Sequence, residues 1–246
     1  MGRSPLGGRG FESFSEDPFL SGKIASAMIA AVQGHGIASA VKHFVCNDME
    51  HQRTSVDCIV TPRALREIYL MPFQMAIRDA DPWCLMTSYN RVNGTHMSEH
   101  KDILQKIVRK EWDYDGCILS DWYGTYSTIE ALEAGLDLEM PGPSMWRGQL
   151  IKSAVGVGKI SAAVVDKSAS RLLDLVERCS RSQVIEHGPE ICLDSPSDRA
   201  LMRRVAAESM VLLRNEGGIL PLAKNKKVRQ VTDRNSHSAG PLANRS

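Results

Sequence analysis

The sequence predicts an α/β fold in which helices cover a parallel sheet. Apolar runs of strand length alternate with helical patterns four times between residues 21 and 179. The runs are continuously apolar, which is typical of strands buried on both faces. Polar residues stand where each run ends, and in a β/α barrel the chemistry lies at the carboxyl ends of the strands. Together these observations favour part of a TIM-like barrel.

The predicted elements follow one another along the chain. Apolar runs predict strands at residues 36–45, 83–90, 116–122 and 136–140. Helical spacing of apolar residues predicts helices at residues 21–34, 61–80, 98–112, 127–135, 147–155, 161–179 and 196–214. Four parallel strands are about half of the eight that close a barrel, so the barrel is expected to be incomplete.

Residue types at the helix ends support these boundaries. Thr61 is a suitable N-cap and Pro62 fits the first helical position, while Pro72 is expected to kink the same helix. Ser98 is expected to cap the next helix. Gly135 follows the last periodic position of the fourth helix, where glycine commonly ends a helix.

Composition limits the classes of function. Lys and Arg number 30 and Asp and Glu number 29, a balance that gives no general field to attract nucleic acid or an anionic membrane. No apolar run approaches the roughly 20 residues that span a bilayer. The start, MGRSPLGGRG, lacks the apolar segment of a secretory signal, and the compartment stays open. The six cysteines form no CxxC pair and are predicted to be buried free thiols rather than disulfides or metal ligands.

Asp121 ends the third apolar run, in the stretch CILSDWYGT. A carboxylate at the tip of a buried strand is costly unless a partner uses it. It is a weak candidate for a helix cap, because Thr125 and Ser127 lie closer to the next helix. It can instead act as a nucleophile, a base or a metal ligand. No HExxH motif accompanies it, so we expect no metal ion at this position. We also expect no cofactor. The flat face of Trp122, the next residue, suits a sugar ring.

Other polar residues share the predicted strand ends. Lys42 and His43 end the first strand and supply several donors side by side, which suits vicinal hydroxyls; a structural ion pair is the alternative. Tyr89 stands at the second strand end and Glu139 at the fourth. Arg9 lies in the glycine-rich stretch LGGRGFE, which lets the backbone approach a ligand closely.

Five segments in order resemble the motif series of family 3 glycoside hydrolases, in particular the fungal β-glucosidase branch. They are GGRGFESFSEDP, VKHFVCNDME, LMTSYNRVNG, GCILSDWYGT and AGLDLEMPGP. The resemblance runs from about Ser4 to about Leu222. It implies a β/α barrel followed by an α/β sandwich domain, and retaining hydrolysis of terminal non-reducing β-D-glucosyl residues in carbohydrate and cellulose breakdown.

Carried over by position, the resemblance assigns roles to individual residues. Asp121 matches the family's nucleophile. The residues that match positions contacting the sugar are Arg9, Lys42, His43, Met86, Tyr89 and Trp122. The implied substrates are β-glucosides or cello-oligosaccharides, with neither nucleic acid nor a membrane as partner. No residue of this chain matches the family's general acid/base glutamate, so an alternative is a catalytically inactive fragment or sugar-binding remnant of such an enzyme.

The resemblance also predicts how the chain is divided. Residues 1–180 correspond to the carboxyl-terminal part of the barrel, and residues 181–222 to a linker and the first helix leading to a missing sandwich domain. Residues 223–246 are polar and are expected to form a disordered tail. We expect the 246-residue chain alone to hydrolyse β-glucosides poorly or not at all. Asn93 and Asn244 each begin a glycosylation sequon, which matters only if the chain is secreted.

Overall fold

The computed structural model describes residues 2–182, 184 and 187–223. Within these residues the strands are β1 (Ala40–Phe44), β2 (Asp57–Cys58), β3 (Cys84–Thr87), β4 (Arg91–Val92), β5 (Thr95–His96), β6 (Cys117–Trp122) and β7 (Leu138–Met140). The α-helices are α1 (Pro18–Gln33), α2 (Pro62–Ala64), α3 (Met71–Ala80), α4 (Ile129–Ala134), α5 (Gln149–Gly156), α6 (Ala162–Ser180) and α7 (Pro196–Glu208). Two further segments, Leu65–Leu70 and Asp102–Glu111, are π-helical.

A four-stranded parallel sheet lies at the centre of the first of two compact units, Met1–Glu186. Its strand order is β1-β3-β6-β7, and every neighbouring pair is parallel. Each pair of neighbours is also consecutive in the predicted order of apolar runs, with helices in the connections. The predicted α/β fold class is therefore confirmed, and all four carboxyl ends lie at one rim.

A smaller sheet stands beside this rim. Strand β2 pairs in parallel with β4, and β4 pairs antiparallel with β5. The turn between β4 and β5 is Asn93-Gly94, in which both residues have positive φ, 49° and 94°. An Asn-Gly turn of this kind matches the right-handed twist of a two-stranded hairpin. These short strands were not predicted, because two residues are too few to show a period of two.

The main core lies between the parallel sheet and the helices that cover it. Phe44, Leu85 and Ile118, one from each of three neighbouring strands, are fully buried there. Leu70 and Leu104, from the two π-helical segments, pack against them. A second cluster of Cys84, Cys117 and Leu119 packs with residues of α6 on the other face. Burial of both sheet faces accounts for the continuous apolar runs in the sequence.

The prediction that the cysteines are free thiols is confirmed, and the prediction that they are buried is confirmed in part. All six thiols are free; three are buried, namely Cys46, Cys84 and Cys117. Burial raises the pKa of Cys117 to about 12 and that of Cys84 to about 11, so both remain thiols. Cys58 and Cys179 are half-buried, and Cys192 is exposed, against the prediction.

Several helix boundaries match the predicted signals. Thr61 Oγ1 accepts a 3.3 Å hydrogen bond from the Ala64 N–H, and Pro62 is the first helical residue. Gly135, with φ of 99°, ends α4. Pro72 stands just after the π-helical segment Leu65–Leu70, where the backbone hydrogen-bond pattern changes. Proline has no N–H to continue an α-helical ladder, which fits a change of pattern beside Pro72, whereas the kink itself stays a prediction.

Other boundaries were wrong. Ser98 does not cap a helix: it is buried in the 3₁₀ turn Met97–Glu99, and the following π-helical segment begins at Asp102. The Ile103 N–H donates to His100 Nδ1 instead, at 3.4 Å. Helix α1 begins at Pro18 rather than residue 21, because the Asp17 carboxylate caps it by accepting from the Leu20 N–H at 2.6 Å.

The second unit, His187–Ser246, contains α7 among its described residues. Ser195 Oγ caps this helix by accepting from the Asp198 N–H at 3.1 Å, and the helix ends at Glu208 rather than at residue 214. The predicted segment boundaries after residues 180 and 222 stay predictions. Nearly all of the predicted tail, and with it Asn244, lies outside the described residues. No helix in the described part of the chain is long and apolar enough to cross a membrane.

Candidate active site

Asp121 lies at the centre of the polar rim of the parallel sheet. It is the penultimate residue of β6 and only 7% exposed. Tyr89 follows the neighbouring strand β3, and His43 lies in β1, the next strand along the sheet. Adjacent parallel strands therefore bring the three side chains together.

The two carboxylate oxygens of Asp121 have different surroundings. Oδ1 accepts a 3.0 Å hydrogen bond from the Tyr89 hydroxyl and a 2.7 Å bond from the Trp122 N–H. Oδ2 is buried and accepts no hydrogen bond from any described residue. The predicted alternative of a helix cap is not observed, because it is Ser127 Oγ that accepts from the Ala131 N–H of α4, at 3.1 Å. The carboxylate is thus held by one oxygen and leaves the other available.

His43 lies beside the free oxygen. Its Nε2 atom is 3.3 Å from Asp121 Oδ2 and 3.3 Å from Arg9 Nη1. Burial lowers the pKa of His43 to about 4, against the opposing charge of Asp121, so the ring is neutral near neutral pH. A guanidinium can only donate, so the Arg9 contact requires a lone pair on Nε2 and assigns the ring proton to Nδ1. In this tautomer His43 does not compete for Oδ2.

Arg9 and Lys42 converge on one carboxylate. Glu12 Oε2 lies 2.8 Å from Arg9 Nη2 and 3.4 Å from Lys42 Nζ. Desolvation raises the pKa of Glu12, but hydrogen bonding and charge from Arg9 and Lys42 outweigh it and lower the pKa. The glycines before Arg9 serve a close backbone approach, because a Cβ at Gly7 would lie 2.8 Å from the Asp48 carbonyl oxygen. The approach is to the chain itself, and it carries Arg9 to the rim.

Tyr89 is held on a second side by Arg53. The Arg53 guanidinium lies 4.7 Å from the centre of the Tyr89 ring, and its Nη1 is 2.7 Å from Glu50. Burial and the charge of Asp121 raise the pKa of Tyr89 to about 12, so the phenol keeps its proton and can donate it to Asp121 in a hydrogen bond. Sequence reasoning missed Glu12 and Arg53; the signal available was charged residues three positions from other charges, in GGRGFE and MEHQR.

Three predicted residues occupy other parts of the rim. Trp122 is 55% exposed, and it ends β6, where it pairs in register with Met140 of β7. Met86 pairs with Leu119 and packs at the edge of the second core cluster. Glu139 is buried and accepts from the N–H groups of Met145 and Trp146, at 2.9 and 3.0 Å, so it organises the loop after β7.

The donor set of this rim suits a neutral polar molecule better than a metal ion. Cationic and neutral donors surround the buried carboxylate of Asp121, and no cluster of three or more potential metal ligands occurs in the described residues. A carboxylate with one free oxygen can form a covalent bond to carbon, and the neighbouring donors can hold hydroxyl groups.

Residues 1–175 match the family model described as the glycosyl hydrolase family 3 N terminal domain. The chain belongs to glycosyl hydrolase family 3. It is 54% identical over 226 residues to "Probable beta-glucosidase I" of Aspergillus flavus, covering 92% of this chain and 27% of that protein. It is 53% identical over 231 residues to "Probable beta-glucosidase J" of Neosartorya fischeri, with the same coverage of each chain, 92% and 27%.

Solved structures of family 3 enzymes share the fold. The β-glucosidase of Kluyveromyces marxianus in complex with glucose superposes with a TM-score of 0.86 at 47% identity, over 91% of this chain and 28% of that one. β-Glucosidase 3B from Thermotoga neapolitana in complex with glucose gives 0.81 at 38% identity, over 92% and 32%. The chain thus spans about a quarter to a third of the length of these relatives, and its parallel sheet is part of an α/β barrel.

Proposed function

We propose that this chain carries the nucleophile and part of the sugar site of a retaining β-glucosidase that hydrolyses terminal β-D-glucosyl residues. One observation carries the proposal: Asp121 is buried at a barrel rim with Oδ1 hydrogen-bonded twice and Oδ2 without a hydrogen-bond partner among the described residues. The names of the relatives, β-glucosidases of fungi and bacteria, support the same activity.

In the first step Oδ2 of Asp121 attacks the anomeric carbon. The new C–O bond forms as the bond to the aglycone oxygen breaks, and the aglycone leaves with that bonding pair. Tyr89 and the Trp122 N–H hold Oδ1 and so keep Oδ2 directed at the carbon. In the second step water attacks the same carbon as the bond from that carbon to Oδ2 breaks, and the proton lost by the water passes to bulk solvent. The two donors to Oδ1 stabilise the carboxylate that departs with the bonding pair.

The cations beside Asp121 recognise the glucosyl hydroxyls in this proposal. Arg9 and Lys42 supply donors whose positions are set by their shared partner Glu12. The Nδ1–H of neutral His43 adds a further donor. The exposed indole of Trp122 offers its face to the C–H groups of the sugar, and Met86 supplies apolar contact. The expected substrates are β-glucosides or cello-oligosaccharides.

Covalent trapping tests the nucleophile. The reagent is a dinitrophenyl β-glucoside with fluorine next to the anomeric carbon, which slows hydrolysis of the glycosyl-enzyme. Dinitrophenolate leaves without being protonated, so labelling does not depend on a general acid. We expect one fluoroglucosyl group per chain, located on Asp121 by peptide mass spectrometry. Asp121→Asn should abolish labelling, whereas Glu130→Gln, at an exposed carboxylate of α4, should label like the wild type.

Two outcomes would contradict the proposal. Labelling of Glu12 or Glu139 would show that another carboxylate is the nucleophile. Glucose binding by wild type and Asp121→Asn alike, measured by calorimetry and without any labelling, would instead support the alternative of a sugar-binding remnant.

A further inference from the structure

The main-chain carbonyl of Tyr89 is held by two side chains that lie outside the site described above. His96 Nδ1 is 2.9 Å from this oxygen, and the Tyr126 hydroxyl is 3.2 Å from it. The rings of His96 and Tyr126 are stacked, with centroids 3.7 Å apart and planes 24° from parallel. A carbonyl oxygen can only accept hydrogen bonds, so the contact places a proton on His96 Nδ1.

The stacked pair joins two parts of the fold. His96 ends β5 in the small sheet, and Tyr126 belongs to the loop between β6 and α4. The Tyr126 hydroxyl also lies 3.4 Å from the Thr54 carbonyl, but it has a single hydrogen, and the shorter contact is to Tyr89. Burial, with the charge of Asp121, raises the pKa of Tyr126, so the hydroxyl stays a donor. The pair therefore holds the main chain of Tyr89, while Asp121 is the partner of its phenol.

We infer that His96 and Tyr126 are positioning residues that hold Tyr89, and through it Asp121, in the reactive orientation. The inference rests on the proposed function of Asp121. Tyr89 lies just beyond the end of β3, so no strand pairing holds its backbone. If its carbonyl were released, the phenol could swing away, and Asp121 Oδ1 would keep only the bond from the Trp122 N–H.

Three substitutions separate the elements of this arrangement. His96→Ala removes both the donor and the stacked ring. His96→Asn keeps a donor, because the Asn Nδ2–H can occupy the place of the imidazole Nδ1–H. Tyr126→Phe keeps the stacked ring and removes only the hydroxyl donor. If the pair had a purely structural role, the effect of each substitution would depend on the ring volume that it removes. If the pair positions Tyr89, the effect depends on whether a hydrogen-bond donor to the Tyr89 carbonyl remains.

The first measurement is the rate of covalent labelling by the dinitrophenyl fluoroglucoside. We expect His96→Ala and Tyr126→Phe each to slow labelling by about three- to tenfold, the worth of one hydrogen bond of about 1 kcal/mol, and His96→Asn to restore most of the rate. In a Tyr89→Phe background, His96→Ala should have almost no further effect. An equal loss in both backgrounds would overturn the inference, since the effect would then bypass the Tyr89 hydroxyl.

The second measurement does not require activity. The chain has five tyrosines, so labelling them with ¹³C at Cζ gives few resonances, each assignable by substitution with Phe. We expect the Tyr89 resonance to move in Asp121→Asn and in His96→Ala but not in His96→Asn. Tyr114 is buried and precedes the first residue of β6, at the end of the strand far from Asp121. Its resonance should not move in any of these variants, and it serves as the control for the fold.

The two measurements distinguish failure of the inference from failure of the proposed function. A Tyr89 resonance that is unchanged in both His96→Ala and Tyr126→Phe overturns the positioning role, whatever the labelling shows. A resonance that moves as expected, in a wild-type chain that is never labelled, supports the hold on Tyr89 and contradicts the assignment of Asp121 as nucleophile.

Discussion

His43 Nε2 lies 3.3 Å from Asp121 Oδ2, and the imidazole is almost wholly shielded from solvent. Burial lowers the pKa of His43 from 6.5 to about 4, against the charge of Asp121. As the pH falls below 6.5 the unfolded chain binds a proton at His43, and the folded chain does not until about pH 4. We therefore predict that the His43 contribution to the free energy of unfolding is constant above this window and is lost as the pH falls through it.

Urea unfolding at a series of pH values measures this effect. Other groups titrate in the same range, so the comparison is with His43→Asn, whose amide does not ionise. The free energy of unfolding of the wild type should fall more steeply between about pH 6.5 and about pH 4 than that of the variant. Equal slopes for the two proteins would mean that His43 is protonated as readily in the folded chain as in the unfolded one.

Glu139 organises the loop after β7, and its removal should destabilise the first unit. The carboxylate accepts from the N–H groups of Met145 and Trp146 and from the Ser144 hydroxyl. In Glu139→Gln one carboxylate oxygen is replaced by an NH₂ group, which donates and cannot accept. The hydrogen bonds that this oxygen accepted are therefore lost. We predict a loss of about 1.5–3 kcal/mol in the free energy of unfolding, typical of hydrogen bonds to a charged group.

The control for Glu139 is Glu130→Gln, which makes the same chemical change at an exposed position on α4. Its effect should stay within about 0.5 kcal/mol. Urea unfolding followed by tryptophan fluorescence suits both variants, because Trp146 itself lies in the loop. Equal stability of the two variants would show that the Glu139 hydrogen bonds contribute little to the fold.

The sequence predicted the rim at which Asp121, Tyr89 and His43 meet, because the carboxyl ends of parallel strands lie together whatever the loops do. The same reasoning placed Glu139 at the rim, but its partners are loop N–H groups that no side-chain pattern reveals. Glu12 ends the short 3₁₀ turn Gly10–Glu12 before α1, and three residues are too few for a periodicity that shows which way a side chain points. Its contact with Lys42 forms only when the segment before α1 packs against β1, and no pattern in the sequence shows that packing.

A buried ion pair lies at the amino-terminal end of the parallel sheet, opposite the rim that holds Asp121. Arg109 Nη2 lies 2.7 Å from Asp137 Oδ2, with side-chain exposures of 6% and 1%. Asp137 also accepts from the Ile118 N–H at 2.8 Å and pairs with Arg171 at 3.3 Å. Asp137→Asn leaves the buried guanidinium without its counter-charge. We predict a loss of about 3–5 kcal/mol in the free energy of unfolding.

Asp102→Asn is the matched control for Asp137. Asp102 pairs with Lys106 at 2.6 Å on the surface, where both side chains are about 70% exposed. Water and salt screen such a pair, so the variant should lose less than about 1 kcal/mol. Thermal and urea unfolding of the two variants check the contrast. Similar losses in the two variants would mean that burial of the Arg109–Asp137 pair does not increase its contribution to the free energy of unfolding.

Asn93 occupies a glycosylation sequon but already uses both amide atoms. Oδ1 accepts from the Val60 N–H at 2.9 Å, and Nδ2 donates to the Val60 carbonyl at 3.0 Å. Its positive φ of 49° in the Asn-Gly turn is a conformation that Asn tolerates better than most residues. A glycan on Nδ2 would disturb this junction between the small sheet and the segment before α2. We predict that folded chain produced by a secreting host carries no glycan at Asn93.

Two substitutions that both remove the sequon test the assignment. Thr95→Val keeps Asn93 and should leave the free energy of unfolding within about 0.5 kcal/mol of the wild type. Asn93→Gln displaces both hydrogen bonds and strains the turn, so it should cost about 1–3 kcal/mol. Intact mass before and after glycosidase treatment measures occupancy, and urea unfolding measures stability. A folded, fully glycosylated chain as stable as the deglycosylated one would show that the Asn93–Val60 bonds are dispensable.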